Sequence, residues 1–166
     1  MSHRSLCTVI AGSVIAIGAT SIVAAQVRRQ GPVQVPLEVS LNVAGKPYAA
    51  KGLGSCTHAP KASIYGVMAE MWTVRQQGDG GSVQLTLWKP ADGSANMFTL
   101  AVSGGATNTN ITTVRGGEVS GTGNVTLAPA AKGGTLTIDA KSKAGQAIAG
   151  TIKCDAFTPH IADGGH

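Results

Sequence analysis

Apolar and polar residues take turns along much of this chain, and that period of two limits what it can fold into. Leu37, Val39, Leu41 and Val43 alternate with Glu38, Ser40 and Asn42, and Val83, Leu85 and Leu87 alternate with Gln84, Thr86 and Trp88. The pattern returns in Phe98, Leu100 and Val102, in Leu136, Ile138 and Ala140, and in Ile148, Gly150, Ile152 and Cys154. Alternation of this kind puts every second side chain on one face of an extended strand, where a helix would spread the same residues around its circumference.

Turn residues punctuate the runs: Gly78 to Gly81, Lys89 to Gly93, Gly116-Gly117 and Pro129 to Gly134. With 23 glycines, 13% charged residues and 4% aromatics, the composition suits many short strands rather than disorder, because the apolar residues are regularly spaced. The expected fold is an all-β, antiparallel β-sandwich, jelly-roll-like, of about eight or nine short strands. Within it, Ser63 to Arg75 reads as the longest strand, with Gly66 as a bulge, and Gly54 to Pro60 reads as a loop. A helix over Val67 to Val74 is the competing reading, which the β-branched and aromatic flanks disfavour.

Residues 1–25 read as a signal peptide. His3 and Arg4 precede a mainly apolar run from Leu6 to Val23, and Val23-Ala24-Ala25 supplies the small residues of a cleavage site. Cys7 opens the apolar run, whereas a lipidated cysteine would follow it. Residues 26–36 then form an extended leader, 37–157 the sandwich domain and 158–166 a C-terminal tail. The sequence holds no second long apolar segment, so no integral membrane span is expected after cleavage, and the product is exported: secreted, periplasmic or at the cell surface.

Export decides how the cysteines are read. The mature chain keeps Cys56 and Cys154, and an even pair in an oxidising compartment points to a disulfide. Such a bond ties an early loop to the last strand. A thiolate metal site would call for closely spaced cysteines, which are missing.

Functional signals are sparse. The formal charge of +5 falls by one with Arg4, the remaining lysines are scattered, and no basic stripe is interleaved with aromatics, which argues against a nucleic-acid partner. The sequence has no G-x-S-x-G elbow, and its glycine pairs lack the Lys-Ser/Thr of a phosphate loop. Glu70 stands out among the carboxylates because it interrupts an apolar stretch, with Arg75 as a ready partner. Met68 and Met71 are soft copper ligands by type, but three residues apart on a strand they face opposite ways and read as packing.

Two constellations remain. His58 follows Cys56 by two positions and His160 follows Cys154 by six, so the disulfide tethers both imidazoles to one junction, near Asp155 and Asp163, as candidate zinc or copper ligands. Trp88 and Tyr65 are candidate ligand contacts, Trp88 because its parity is opposite to Leu85 and Leu87. The leading expectation is a non-catalytic binding or assembly module without a cofactor, recognising a protein or glycan. A metal-binding envelope protein and a self-assembling, oligomeric surface protein are the alternatives.

Overall fold

The computed structural model describes residues 33–105, 107–115 and 118–160. The signal-peptide reading, most of the leader and Asp163 lie outside them. The described chain is all-β and, β10 apart, antiparallel, in ten strands: β1 (Val35–Val43), β2 (Lys46–Ile64), β3 (Val67–Gly78), β4 (Gly81–Pro90), β5 (Met97–Gly104), β6 (Thr107–Thr112), β7 (Gly121–Pro129), β8 (Gly134–Ser142), β9 (Ala147–Cys154) and the two-residue β10 (Thr158–Pro159).

The strands neighbour one another in the order β6-β5-β4-β3-β2-β1-β9-β8-β7, so each connection but one between β1 and β9 is a hairpin. These sequential hairpins replace the crossing connections of a jelly roll. The exception leads from β6 to β7, the two ends of the order, and they meet through Ser120. Its hydroxyl accepts from the Thr112 N–H at 2.9 Å, and its own N–H donates to the Thr112 carbonyl at 3.1 Å. The sheet thereby curls almost into a closed ring around one core.

The alternation read from the sequence is what fills that core. Leu37, Val39, Leu41 and Val43 of β1 are buried while their neighbours are exposed, and the apolar rows of β5, β8 and β9 are buried in the same alternation; in β4 Val83, Leu85 and Leu87 are buried, and so is Thr86 between them. Phe98, Leu85, Leu87, Leu100, Ile111, Leu136, Ile138, Ile148 and Ile152 are the largest side chains with essentially no exposure. One end of the core is finished by polar groups: the Tyr48 hydroxyl donates to Gln76 Oε1 at 3.1 Å. Burial pushes the Tyr48 phenol above its ordinary range.

β2 holds the architecture together. Its first half, Lys46 to Gly54, pairs with β1, and its second half, Ser55 to Ile64, pairs with β3. One strand of 19 residues therefore belongs to both sheet portions. The change of partner falls at Gly54, where a side chain would strike Leu37 and the Arg75 carbonyl. Gly54 to Pro60 is accordingly strand, not the loop its Gly, Ser and Pro content suggests. Pairing with β3, joined at Thr57 and His58 by β10 on the other side, outweighs the weak local propensity.

The stretch Ser63 to Arg75 also differs from expectation. It is the end of β2, a turn at Tyr65-Gly66 and the start of β3. Tyr65 and Gly66 have φ of 52° and 76°, and Ala44 and Gly45, between β1 and β2, have 52° and 82°. Positive φ at both positions is the two-residue hairpin turn whose twist matches the strands it joins. What reads as a bulge glycine in one long strand is thus a reversal. Its cost falls on Tyr65, a bulky residue in left-handed backbone.

The two cysteines are bonded, Cys56 on β2 and Cys154 on β9, with Cα atoms 6.3 Å apart and both side chains buried. β9 lies between β1 and β8 rather than at an edge. The bond therefore crosses the core between the two sheet portions. Beyond it Thr158 and Pro159 pair in parallel with Thr57 and His58, so part of the expected tail belongs to the sheet.

The outer surface carries its own order. Thr57, Thr73, Thr86, Thr99 and Thr112 stand opposite one another across five successive strands. Directly facing β-branched neighbours of this kind support the sheet from outside.

Two consequences are measurable. Reducing the disulfide, which closes a loop 98 residues long, is expected to remove about 4 to 5 kcal/mol of stability, read from urea unfolding with and without reductant. Ala44→Asn and Tyr65→Asn each place an Asn-Gly pair where left-handed backbone is required, and each is expected to add roughly 0.5 to 1 kcal/mol, seen as a higher melting temperature by circular dichroism.

Candidate functional site

At the end of the ring opposite Tyr48, the inner faces of the strands part and leave a cavity of about 570 Å³. This is a volume typical of small-molecule sites. Two sides converge on it. From β2, β3 and β4 come His58, Glu70, Trp72, Leu87 and Lys89, all on the inward parity of their strands. From the other side come Leu127, the β7–β8 turn from Pro129 to Gly133, and Phe157.

Strand register fixes the first group. His58 stands opposite Trp72, and Trp72 opposite Leu87, in one row across three strands. The imidazole lies flat on the indole, ring centroids 4.7 Å apart and planes 4° from parallel. Its Nε2 is 3.3 Å from Glu70 Oε2, so stacking and a carboxylate together hold the ring in one orientation. Trp72 is only 7% exposed, so the stack is a rigid wall rather than a surface ornament.

Backbone contacts fix the second group. The Phe157 N–H donates to the Lys132 carbonyl at 2.8 Å, and the Ala130 N–H donates to the Gly133 carbonyl at 2.8 Å. A side chain at Gly133 would collide with the Cys154 and Asp155 backbone, so glycine lets the β7–β8 turn lie directly on the C-terminal segment. At the rim Asn96 reaches across from the β4–β5 loop, its Nδ2 donating to the Val125 carbonyl at 3.3 Å.

The charges are unevenly matched. Glu70 is engaged by His58. Lys89 faces Glu70 in register, yet neither Lys89 nor Lys132 forms an ion pair among the described residues. The lining thus combines an aromatic and aliphatic interior with two unpaired cations at an open mouth.

The candidate residues named from the sequence divide. Cys56 and Cys154 form the disulfide one layer beneath the cavity. His58 lines the cavity. His160 is brought beside it through the backbone, its N–H donating to the His58 carbonyl at 2.9 Å, but its side chain is exposed and lines no part of the cavity. No group of three or more His, Cys, Asp or Glu side chains converges as a metal site among the described residues.

Trp88 lies on the outer face, in a row with Met71 and Met97, and is half-buried. Tyr65 borders a second cavity of about 470 Å³, with Ile64, Val67, Met97 and Arg115. Asp92 also borders it, its carboxyl held below its ordinary range by the Ser94 hydroxyl and backbone N–H.

The sequence names Trp72, with Trp88 and Tyr65, as the aromatic residues able to stack on a ligand, but singles out none of Phe157, Lys89 and Lys132. A two-residue turn at Tyr65-Gly66 would by itself set His58 opposite Thr73; the irregularity between Ala59 and Ala62 shifts the register by one residue and brings His58 opposite Trp72. No protein-family model, no curated protein and no solved structure matches the chain.

The stack gives a direct check. His58→Ala uncovers the indole and removes an aromatic pair worth about 0.5 to 1.5 kcal/mol, so the expected result is lower stability and a red shift of Trp72 emission, measured in a Trp88→Phe background.

Proposed function

We propose that this chain is an exported, non-catalytic binding module whose ligand enters the cavity beside the disulfide. The observation that carries the reading is the cavity itself, about 570 Å³ between two sheet portions, with the His58–Trp72 stack as a preformed wall. A concave, mostly apolar site with a few convergent polar groups is the usual form of a small-molecule pocket, and the mouth of a β-barrel is a common place for one.

The chemistry of the lining supports binding over turnover. The imidazole is committed on one face to Trp72 and at Nε2 to Glu70, an arrangement that positions the ring as a wall. The Cys56–Cys154 bond sits under this wall and limits how far the sheet portions can separate. Preorganisation of this kind reduces what a ligand must order on arrival. Export rests on residues 1–25 together with the disulfide, whose stability suits an oxidising compartment. Among the described residues no helix is long and apolar enough to cross a membrane.

The test is native mass spectrometry of the protein purified from its own host, followed by thermal-shift measurements with a small-molecule set on the Trp88→Phe variant. A retained non-covalent mass, or compounds that raise the melting temperature while changing Trp72 emission, is the expected result. Turnover of a substrate that is abolished by His58→Ala overturns the non-catalytic reading. A protein that no compound perturbs overturns the cavity as the site.

A further inference from the structure

Resting on that cavity as the binding site, the geometry points to a class of ligand: we infer that it takes a lipophilic anion, an apolar body ending in one carboxylate, sulfate or phosphate. The interior offers Trp72, Leu87, Leu127 and Phe157, which reward removal of an apolar surface from water. The polar groups decide the sign of the ligand's charge. The one carboxylate in the lining, Glu70, has its oxygen 3.3 Å from His58 Nε2 and sets one negative charge against two positive ones. Lys89 and Lys132 are both exposed, come from opposite sides of the mouth and have no ion-pair partner among the described residues.

Position matters as much as charge. Lys89 is the inward-parity residue one step beyond Leu87 on β4, so an ammonium stands directly outside an apolar floor. Lys132 sits on the β7–β8 turn whose carbonyl holds Phe157, so the second ammonium stands outside the opposite apolar wall. A long flexible stem carries each charge outward, and either can reach an anion at the mouth without entering the cavity. An apolar ligand that ends in an anion satisfies both features at once: its body enters and its charge stays at the rim. A cationic amphiphile would meet two like charges, and a neutral one would gain nothing from them.

The experiment uses the mature Trp88→Phe protein, with Trp72 emission as the readout. Four probes are titrated, decanoate with decanol and 2-naphthoate with 2-naphthylmethanol, each below the concentration at which it self-associates. At least one acid is expected to bind about tenfold more tightly than its alcohol, the gain of two rim charge contacts, and rising salt is expected to narrow the gap. Lys89→Ala/Lys132→Ala is expected to abolish the gap while leaving alcohol binding and the melting temperature unchanged, because both side chains are exposed. Preference for decanoate or for naphthoate each supports the inference and names the body as acyl or aromatic. Equal binding of acid and alcohol overturns the anion inference and leaves the cavity reading standing. A gap that survives in the double variant overturns the role of the two lysines. If none of the four probes changes Trp72 emission, the cavity reading falls, and this inference with it.

Discussion

A single strand that must serve two sheet portions is the constraint on which the rest of the molecule depends. β2 gives its first half to β1 and its second half to β3, with Gly54 at the change of partner. Every inner residue after that point, Cys56 and His58 included, is placed by the path β2 takes through the corner. Had the strand stopped at Gly54, β1 with β9, β8 and β7 would form one open sheet and β3 to β6 another. Each would expose an apolar face. The continuity of β2 turns two faces toward each other, and the Cys56–Cys154 bond fixes their separation at the end where the cavity lies.

The cavity follows from that geometry rather than from any special sequence. Side chains of the inner rows fill the middle of the molecule with Phe98, Leu85, Leu100 and Ile138. Toward one end the gap is closed by Tyr48 bonded to Gln76. Toward the other it is lined by a stacked pair, a turn and a C-terminal segment that hold their places through their own contacts. A site whose walls are braced independently of the ligand is suited to binding, because little has to be ordered when the ligand arrives.

The fold class was legible because burial in strands has a period of two, which β1, β5, β8 and β9 keep and β4 keeps in its apolar residues. Cys56 and Cys154 were legible as a pair because reading residues 1–25 as a signal peptide sets Cys7 aside and leaves two thiols and one obvious bond. What escaped the sequence were features that depend on pairing. Tyr65 hides a reversal, since a bulky aromatic is among the least expected residues in left-handed backbone. Gly54 to Pro60 hides strand, since its regularity comes from pairing with β3 and, at Thr57 and His58, with β10. The site was half visible for the same reason. His58 drew notice from its distance to Cys56, but its stack on Trp72 exists only once the β2–β3 register is known, and Phe157 and Lys132 reach the cavity through a turn that lies against the C-terminal segment.

The order of the strands has a consequence of another kind. β1 and β9 are hydrogen-bonded neighbours, Leu37 standing opposite Cys154, so the two ends of the domain lie side by side. Read around the ring, the strands run in sequence from β1 to β9 and back to β1, with the seam between β6 and β7 as the one interruption. Such a ring has no topologically privileged beginning. A circularly permuted gene, joining the chain beyond Pro159 to the residues before Val35 and opening new ends at the β6–β7 connection, would keep every strand pairing and the disulfide. Its termini would then lie at the seam instead of beside the cavity.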